Sequence, residues 1–203
     1  MSKKFPRKFL SAGFAANNVE SVKSEYEKLQ TQNPSTTAEL ENWIHRWEEL
    51  TNAINDAFTR ANVAVTVDTT DKKAEEKFFQ ISNEILPLME TYSFDLGKKL
   101  LAHSKVDTLS AYYALFLKAL KADVELFREE NVALKTEERT LVNEYEKIAG
   151  SMTVMFRGQE ITMQQVARYL EDPNEATRKE AYEARSVTKL KHAPAMDDLY
   201  SRM

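Results

Sequence analysis

Between Ala38 and Phe58 the chain reads AELENWIHRWEELTNAINDAF, with large apolar residues at Leu40, Trp43, Trp47, Leu50, Ile54 and Phe58. Spacings of three and four place all six on one face of a helix. A stripe carrying two tryptophans cannot stand in water without inviting aggregation, so it demands packing partners. Other segments repeat the period. Phe78, Ile81, Ile85, Met89, Tyr92 and Leu96 form a second stripe, and Tyr112, Tyr113, Phe116, Leu117 and Leu120 a third. Helix packed on helix is the architecture this pattern dictates. Trp43, Trp47, Ile54, Phe78, Ile85 and Phe116 are the expected core.

Punctuation along the chain marks the helices. The first should start near Asn18 and stop before Asn33-Pro34. Thr36 with Glu39 three residues on has the form of a capping box, in which hydroxyl and carboxylate exchange bonds with backbone amides. Pro87 falls inside the second stripe and should kink or divide it, since it lacks an amide donor. The stretch EERTLVNEYEKIAG should end at Gly150 as a left-handed cap. Residues 62–68, NVAVTVD, read both ways: Val63, Val65 and Val67 alternate as in a strand, yet they follow directly on a helix.

One stretch departs from the helical pattern. In TVMFRGQEIT, β-branched and aromatic residues flank Arg157-Gly158-Gln159, which predicts a β-hairpin near residues 153–162. Thr162 and Gln165 make a second capping box, and Asp172-Pro173-Asn174-Glu175 a third with Asp172 as the cap. An isolated two-stranded hairpin is marginal in water, so its strands should be covered or extended by other chain. The expected fold is mainly α: antiparallel helical hairpins with one small β-hairpin. An arm over residues 1–17 leads into helical hairpins over 18–150, then the β-hairpin and following helices over 151–203. The closing HAPAMDDLYSRM carries no helix stop signal.

Composition excludes several functions. Charged residues make up 30% of the 203, with a net charge of −4 and both signs interspersed, so no basic footprint for nucleic acid exists. With no cysteine there are no disulfides, thiol catalysis or Cys-ligated zinc, which fits a reducing cytoplasm. No run approaches the roughly 20 apolar residues of a membrane helix. FLSAGFAA near the N-terminus is short and interrupted by Ser11 and Gly13, and reads as a surface arm rather than a signal peptide. No Asn-x-Ser/Thr sequon occurs outside Asn33-Pro34-Ser35, which proline disqualifies.

Chemistry-bearing residues are sparse. His45 has Glu41, Glu48 and Glu49 within a turn, but sits between two tryptophans of a packed helix and reads as structural. His103 and His192 have no companions at ligand spacing. Glu129 and Glu130, adjacent in ELFREEN, point in different directions on a helix and read as a solvated end. Tyr112, Tyr113 and Phe116 read as core, with a ligand pocket as the alternative. There is no His-Glu-x-x-His, phosphate-binding glycine loop or Gly-x-Ser-x-Gly. No catalytic or metal-ligating residue is assigned in this chain, and its substrate-facing residues are left open.

The stretch DVELFREENVALKTEERTLVNEYEKIAGSMTVMFRGQEITMQQVARYLEDPNEATRKEAYEA resembles the N-terminal helical region of the oligoendopeptidase F family, zinc metallopeptidases related to thimet oligopeptidase. KFPRKFLSAGF and VTVDTTDKKAEEKF are similar to that family's first segments. The resemblance spans essentially the whole chain and is most specific from Asp123 to Ala184. It implies an intracellular parent peptidase in which a His-Glu-x-x-His helix and a downstream Glu hold zinc, with the motif Glu polarising the attacking water. None of those residues is here. The resemblance therefore implies the N-terminal third of a longer enzyme, forming one wall of a cleft for short peptides and packing on a C-terminal catalytic region of the same chain. The alternative is a stand-alone helical interaction module.

Overall fold

A computed structural model of the chain describes residues 7–11 and 13–203. It divides into two compact units, Met1–Val65 with Asp71–Thr136, and Thr66–Thr70 with Glu137–Met203. Among the described residues no helix is long and apolar enough to cross a membrane.

The first unit is built on α1 (Val19–Thr31) and the long α2 (Thr37–Val67). Asn18 caps α1 by accepting from the Ser21 amide at 2.8 Å, and the chain leaves the helix at Gln32, ahead of Pro34. The Thr36–Glu39 box is present: the Glu39 amide donates to Thr36 Oγ1 at 3.2 Å, and the Thr36 amide to Glu39 Oε2 at 3.3 Å. Of the expected stripe, Leu40, Trp43, Trp47, Leu50 and Ile54 are buried and Phe58 is half-buried. The Trp43 indole donates to the Leu29 carbonyl at 2.9 Å, which ties α1 antiparallel to α2. Residues 62–67 are helical. Ala61 and Val65 prolong the buried stripe, whereas Val63 and Val67 face solvent. A helical period continued by one alanine therefore outweighs the alternation of three valines.

The second stripe is divided, as Pro87 requires. Helix α3 (Lys72–Gln80) passes into a π turn at Ile81–Ile85 and on into α4 (Leu86–Leu101). Proline has no amide for the carbonyl four residues back, and the Leu86 amide reaches five residues back to Ile81 O. Next, α5 (Ala114–Leu126) runs antiparallel to α4, and α6 (Glu130–Ser151) leads from the first unit to the second. The α4–α5 approach depends on Gly97. A Cβ there would lie 2.9 Å from Val124 Cγ2 and 3.0 Å from Leu120 Cδ1. The Lys99 ammonium donates to the carbonyls of Gln30 and Gln32, the C-terminal end of α1, which complements the helix dipole.

Of the arm expected over residues 1–17, residues 1–6 and 12 lie outside the described residues. From Arg7 onward the chain bends along α2. The amides of Lys8, Phe9 and Leu10 donate to the Glu49 carboxylate at 2.9, 3.1 and 2.8 Å, and Leu10 is buried.

In the second unit, β1 (Thr153–Phe156) pairs antiparallel with β2 (Gln159–Thr162), with Phe156 opposite Gln159. The turn is thus the two residues Arg157 and Gly158, both at positive φ (52° and 80°), as a type I′ turn demands. Arginine holds this left-handed backbone while its guanidinium bonds Glu180 at 2.9 Å and Thr177 at 3.0 Å and lies over the Phe156 ring. Cover for the hairpin comes from within the chain. Val154 and Phe156 bury their side chains with Met163 and Val166 of α7 (Met163–Ala167) and Ala181 of α8 (Glu175–Arg202).

Two expected helix ends are corrected. Gly150 is no left-handed cap: α6 passes through it to Ser151, and its backbone stays in the ordinary region. The cap of α8 is Asn174, not Asp172. Asp172 spends its carboxylate on the Asn174 amide in an Asx turn, and Asn174 accepts from Ala176 and Thr177. The Thr162–Gln165 box is present.

Burial alone would raise the Glu49 carboxyl, but the amides of Leu10, Lys8 and Phe9, with Arg7 nearby, outweigh it and hold the group below its usual range. A carboxyl depressed by folding contributes stability above its unfolded pKa, about 4.3, which is lost as pH falls through the folded value. Glu49→Ala should therefore lower stability by about 1–2 kcal/mol at neutral pH, and the gap should close below pH ~4. Urea melts at several pH values measure this; a pH-independent difference would contradict it. Gly97→Ala should destabilise by about 1–2 kcal/mol, overpacking exceeding the gain in helix propensity. The loss should shrink in a Val124→Ala background.

Candidate functional site: an apolar cavity of the first unit

Burying the α2 stripe leaves one side of the helix without full cover. There α2, α4 and α5 line a cavity of about 880 Å³, with Phe127 and Lys135 also in its wall. From α2 come Ile44, His45, Trp47, Glu48, Thr51 and Asn52, and from α4 come Glu90, Ser93 and Phe94. The segment from Tyr112 to Val124 forms the opposite wall.

This placement overturns one core expectation. Trp43, Trp47, Ile54, Phe78 and Ile85 are buried, but Phe116 remains 37% exposed. Its ring stands edge-on to Trp47, centroids 6.3 Å apart, at the cavity wall. The Tyr112–Tyr113–Phe116 cluster is split likewise: Tyr113 is buried, Tyr112 is exposed, and all three line the cavity. A stripe read by period shows which residues share a face, not whether another helix fills the space opposite. The apolar Leu115 and Leu126, off that stripe and 78% and 73% exposed, are the sequence signal for an open rim.

Polar groups in the wall are few and placed. His45 Nδ1 lies 3.3 Å from Glu48 Oε2, and its Nε2 lies 3.3 Å from the Tyr113 hydroxyl. Burial raises the Tyr113 phenol above its usual pKa, and the charges of Glu41 and Glu48 and the neighbouring Tyr112 add to it. Lys135 pairs with Glu90 at 3.2 Å. Beneath Ser93 and Thr51 lies the fully buried Tyr26, stacked on Tyr92 at 5.0 Å. Burial pushes its phenol up to about 12 while the Ser93 and Thr51 hydroxyls pull the other way, neither closing a well-formed hydrogen bond to it.

The remaining candidates come to nothing catalytic. Among the described residues no three His, Asp or Glu side chains gather where a metal ion could sit. Glu49, beside His45 in sequence, is spent on the arm. His103 accepts from the Lys105 amide through Nδ1 and so donates through Nε2 to the Pro34 carbonyl at 3.1 Å, locking a loop. Glu129 and Glu130 stand exposed where α5 gives way to α6, and His192 is half-buried on α8.

Residues 9–127 match the family model of the peptidase M3 N-terminal domain. The chain belongs to the peptidase M3 family. The M3 match takes in every cavity residue except Lys135, and lies mostly upstream of the stretch on which the oligoendopeptidase F resemblance was most specific. A structure assigned as oligoendopeptidase F from Bacillus anthracis str. Ames shares the fold, with a TM-score of 0.85 and 22% identity over 95% of this chain and 36% of that one. A second structure assigned as oligoendopeptidase F gives a TM-score of 0.85 and 20% identity over 97% of this chain and 35% of that one. The chain thus spans about a third of the solved chains it matches. No curated protein matches it.

Trp47 and Phe116 touch yet differ in enclosure, which separates their roles. Trp47→Ala should cost about 3–5 kcal/mol and Phe116→Ala about 1 kcal/mol. Thermal denaturation of both variants measures the difference, and equal losses would make Phe116 core after all.

Proposed function

We propose that the chain is the cleft-forming N-terminal region of a zinc metallo-oligopeptidase that hydrolyses short peptides in the cytoplasm. The observation that carries this reading is the M3 family match over residues 9–127, joined to the fold shared with two structures assigned as oligoendopeptidase F. On this reading the metal and the residues that activate water belong to a catalytic region of the parent chain. The part played here is positional: rigid helices hold an apolar cavity open, and the parent's catalytic region is the partner of this one. The exposed rim also suits the alternative, a helical interaction module with no enzyme attached.

A quenched fluorescent peptide decides between them. The 203-residue chain alone should give no turnover, with or without zinc. The parent should cleave the peptide and lose activity to a chelator, regaining it with zinc. A parent whose sequence lacks His-Glu-x-x-His, or that stays inactive with zinc, would sink the peptidase reading and leave the interaction module.

A further inference from the structure

Between α2, α4 and α5 the first unit carries an opening of about 880 Å³ with an apolar lining. Its volume lies within the range of ligand pockets. Its rim goes further: Tyr112, Leu115 and Leu126 stand exposed beside it, so an occupant gains by lying across the edge as well as filling the hollow. That favours a stretch of chain over a compact small molecule. The charges then select among chains. Lys135 is neutralised by Glu90, whereas Asp123 is exposed with no ionic or hydrogen-bonding partner for its carboxylate among the described residues, and Glu48 faces only the His45 imidazole. The field reaching the Tyr113 phenol from Glu41 and Glu48 is negative as well.

We propose that this cavity is a peptide subsite selecting a large apolar residue next to an arginine or lysine. The apolar side chain lies against the touching Trp47–Phe116 pair, and the cation sits at Asp123, two turns along α5 from Phe116. This deepens the peptidase reading and rests on it for the occupant being a substrate.

The probe is the blocked tetrapeptide Ala-Phe-Arg-Ala, compared with versions carrying Glu for Arg or Ala for Phe. Trp47 lines the cavity, so the chain's own fluorescence reports binding. Saturable binding of the Phe-Arg peptide is expected, at least several-fold tighter than of either comparison peptide and weaker in high salt. Asp123→Asn, an exposed change that leaves folding intact, should weaken it about threefold without weakening the Glu peptide. Phe116→Ala should weaken it about tenfold, with Phe116→Leu recovering part. In the parent, Asp123→Asn should raise KM for Phe-Arg substrates with kcat unchanged, as loss of uniform binding does. Equal binding of the three peptides overturns the proposal. So does a KM indifferent to Asp123→Asn, as follows if the parent's own chain or a second copy fills the cavity. A parent that cleaves peptides without these preferences sinks the subsite alone. Selective binding to the chain beside an inactive parent sinks the enzyme reading alone and leaves the peptide site standing.

Discussion

Helix α2 must hide one long apolar face, and much of the first unit is arranged to let it. The tryptophan indole that is buried but polar at one edge is bonded to α1 through the Leu29 carbonyl. The carboxylate that α2 presents nearby, Glu49, binds the incoming chain by three successive amides. Phe58 meets Phe78 on α3 with the rings tilted, and Trp47 meets Phe116 on α5. Remove the need to bury Leu40 through Val65 and the other helices have little reason to gather where they do.

Satisfying that face did not require filling every side of it. The α4–α5 pair comes close through Gly97, and beyond it Phe94 and Phe127, stacked with centroids 4.1 Å apart, help to line the cavity. Aromatic and acidic side chains are thereby held on rigid helices rather than on loops, which is how a binding wall keeps its shape in the absence of its ligand.

Much of this was legible because it is local. The Thr36 and Thr162 boxes, the start at Asn18 and the left-handed turn at Gly158 each depend on a few adjacent residues. What escaped depended on competition or on distance. Asp172 and Asn174 are both good caps, and only the geometry of the Pro173 turn decides which side chain faces the helix amides. Gly150 permits a left-handed stop without compelling one. The three valines at 63, 65 and 67 were ambiguous until Ala61 and Val65 met the core. Phe116 looked like its neighbours in the stripe, because period alone carries no information about the volume left opposite. The cavity was invisible for the same reason, being a property of three helices at once.

The wide turn at Ile81–Ile85 has an evolutionary consequence. It takes up one residue more than an α-helix needs for the same rotation, so the directions of the side chains on either flank are set as though that residue were absent. Deleting a residue elsewhere in α3 or α4 would swing everything downstream by about 100° and carry Leu96 and Gly97 away from α5. Here a deletion would be absorbed by the turn relaxing to ordinary α geometry. Along this stretch of helix, Ile81–Ile85 is where relatives can differ in length by one residue while both flanks keep facing the same neighbours.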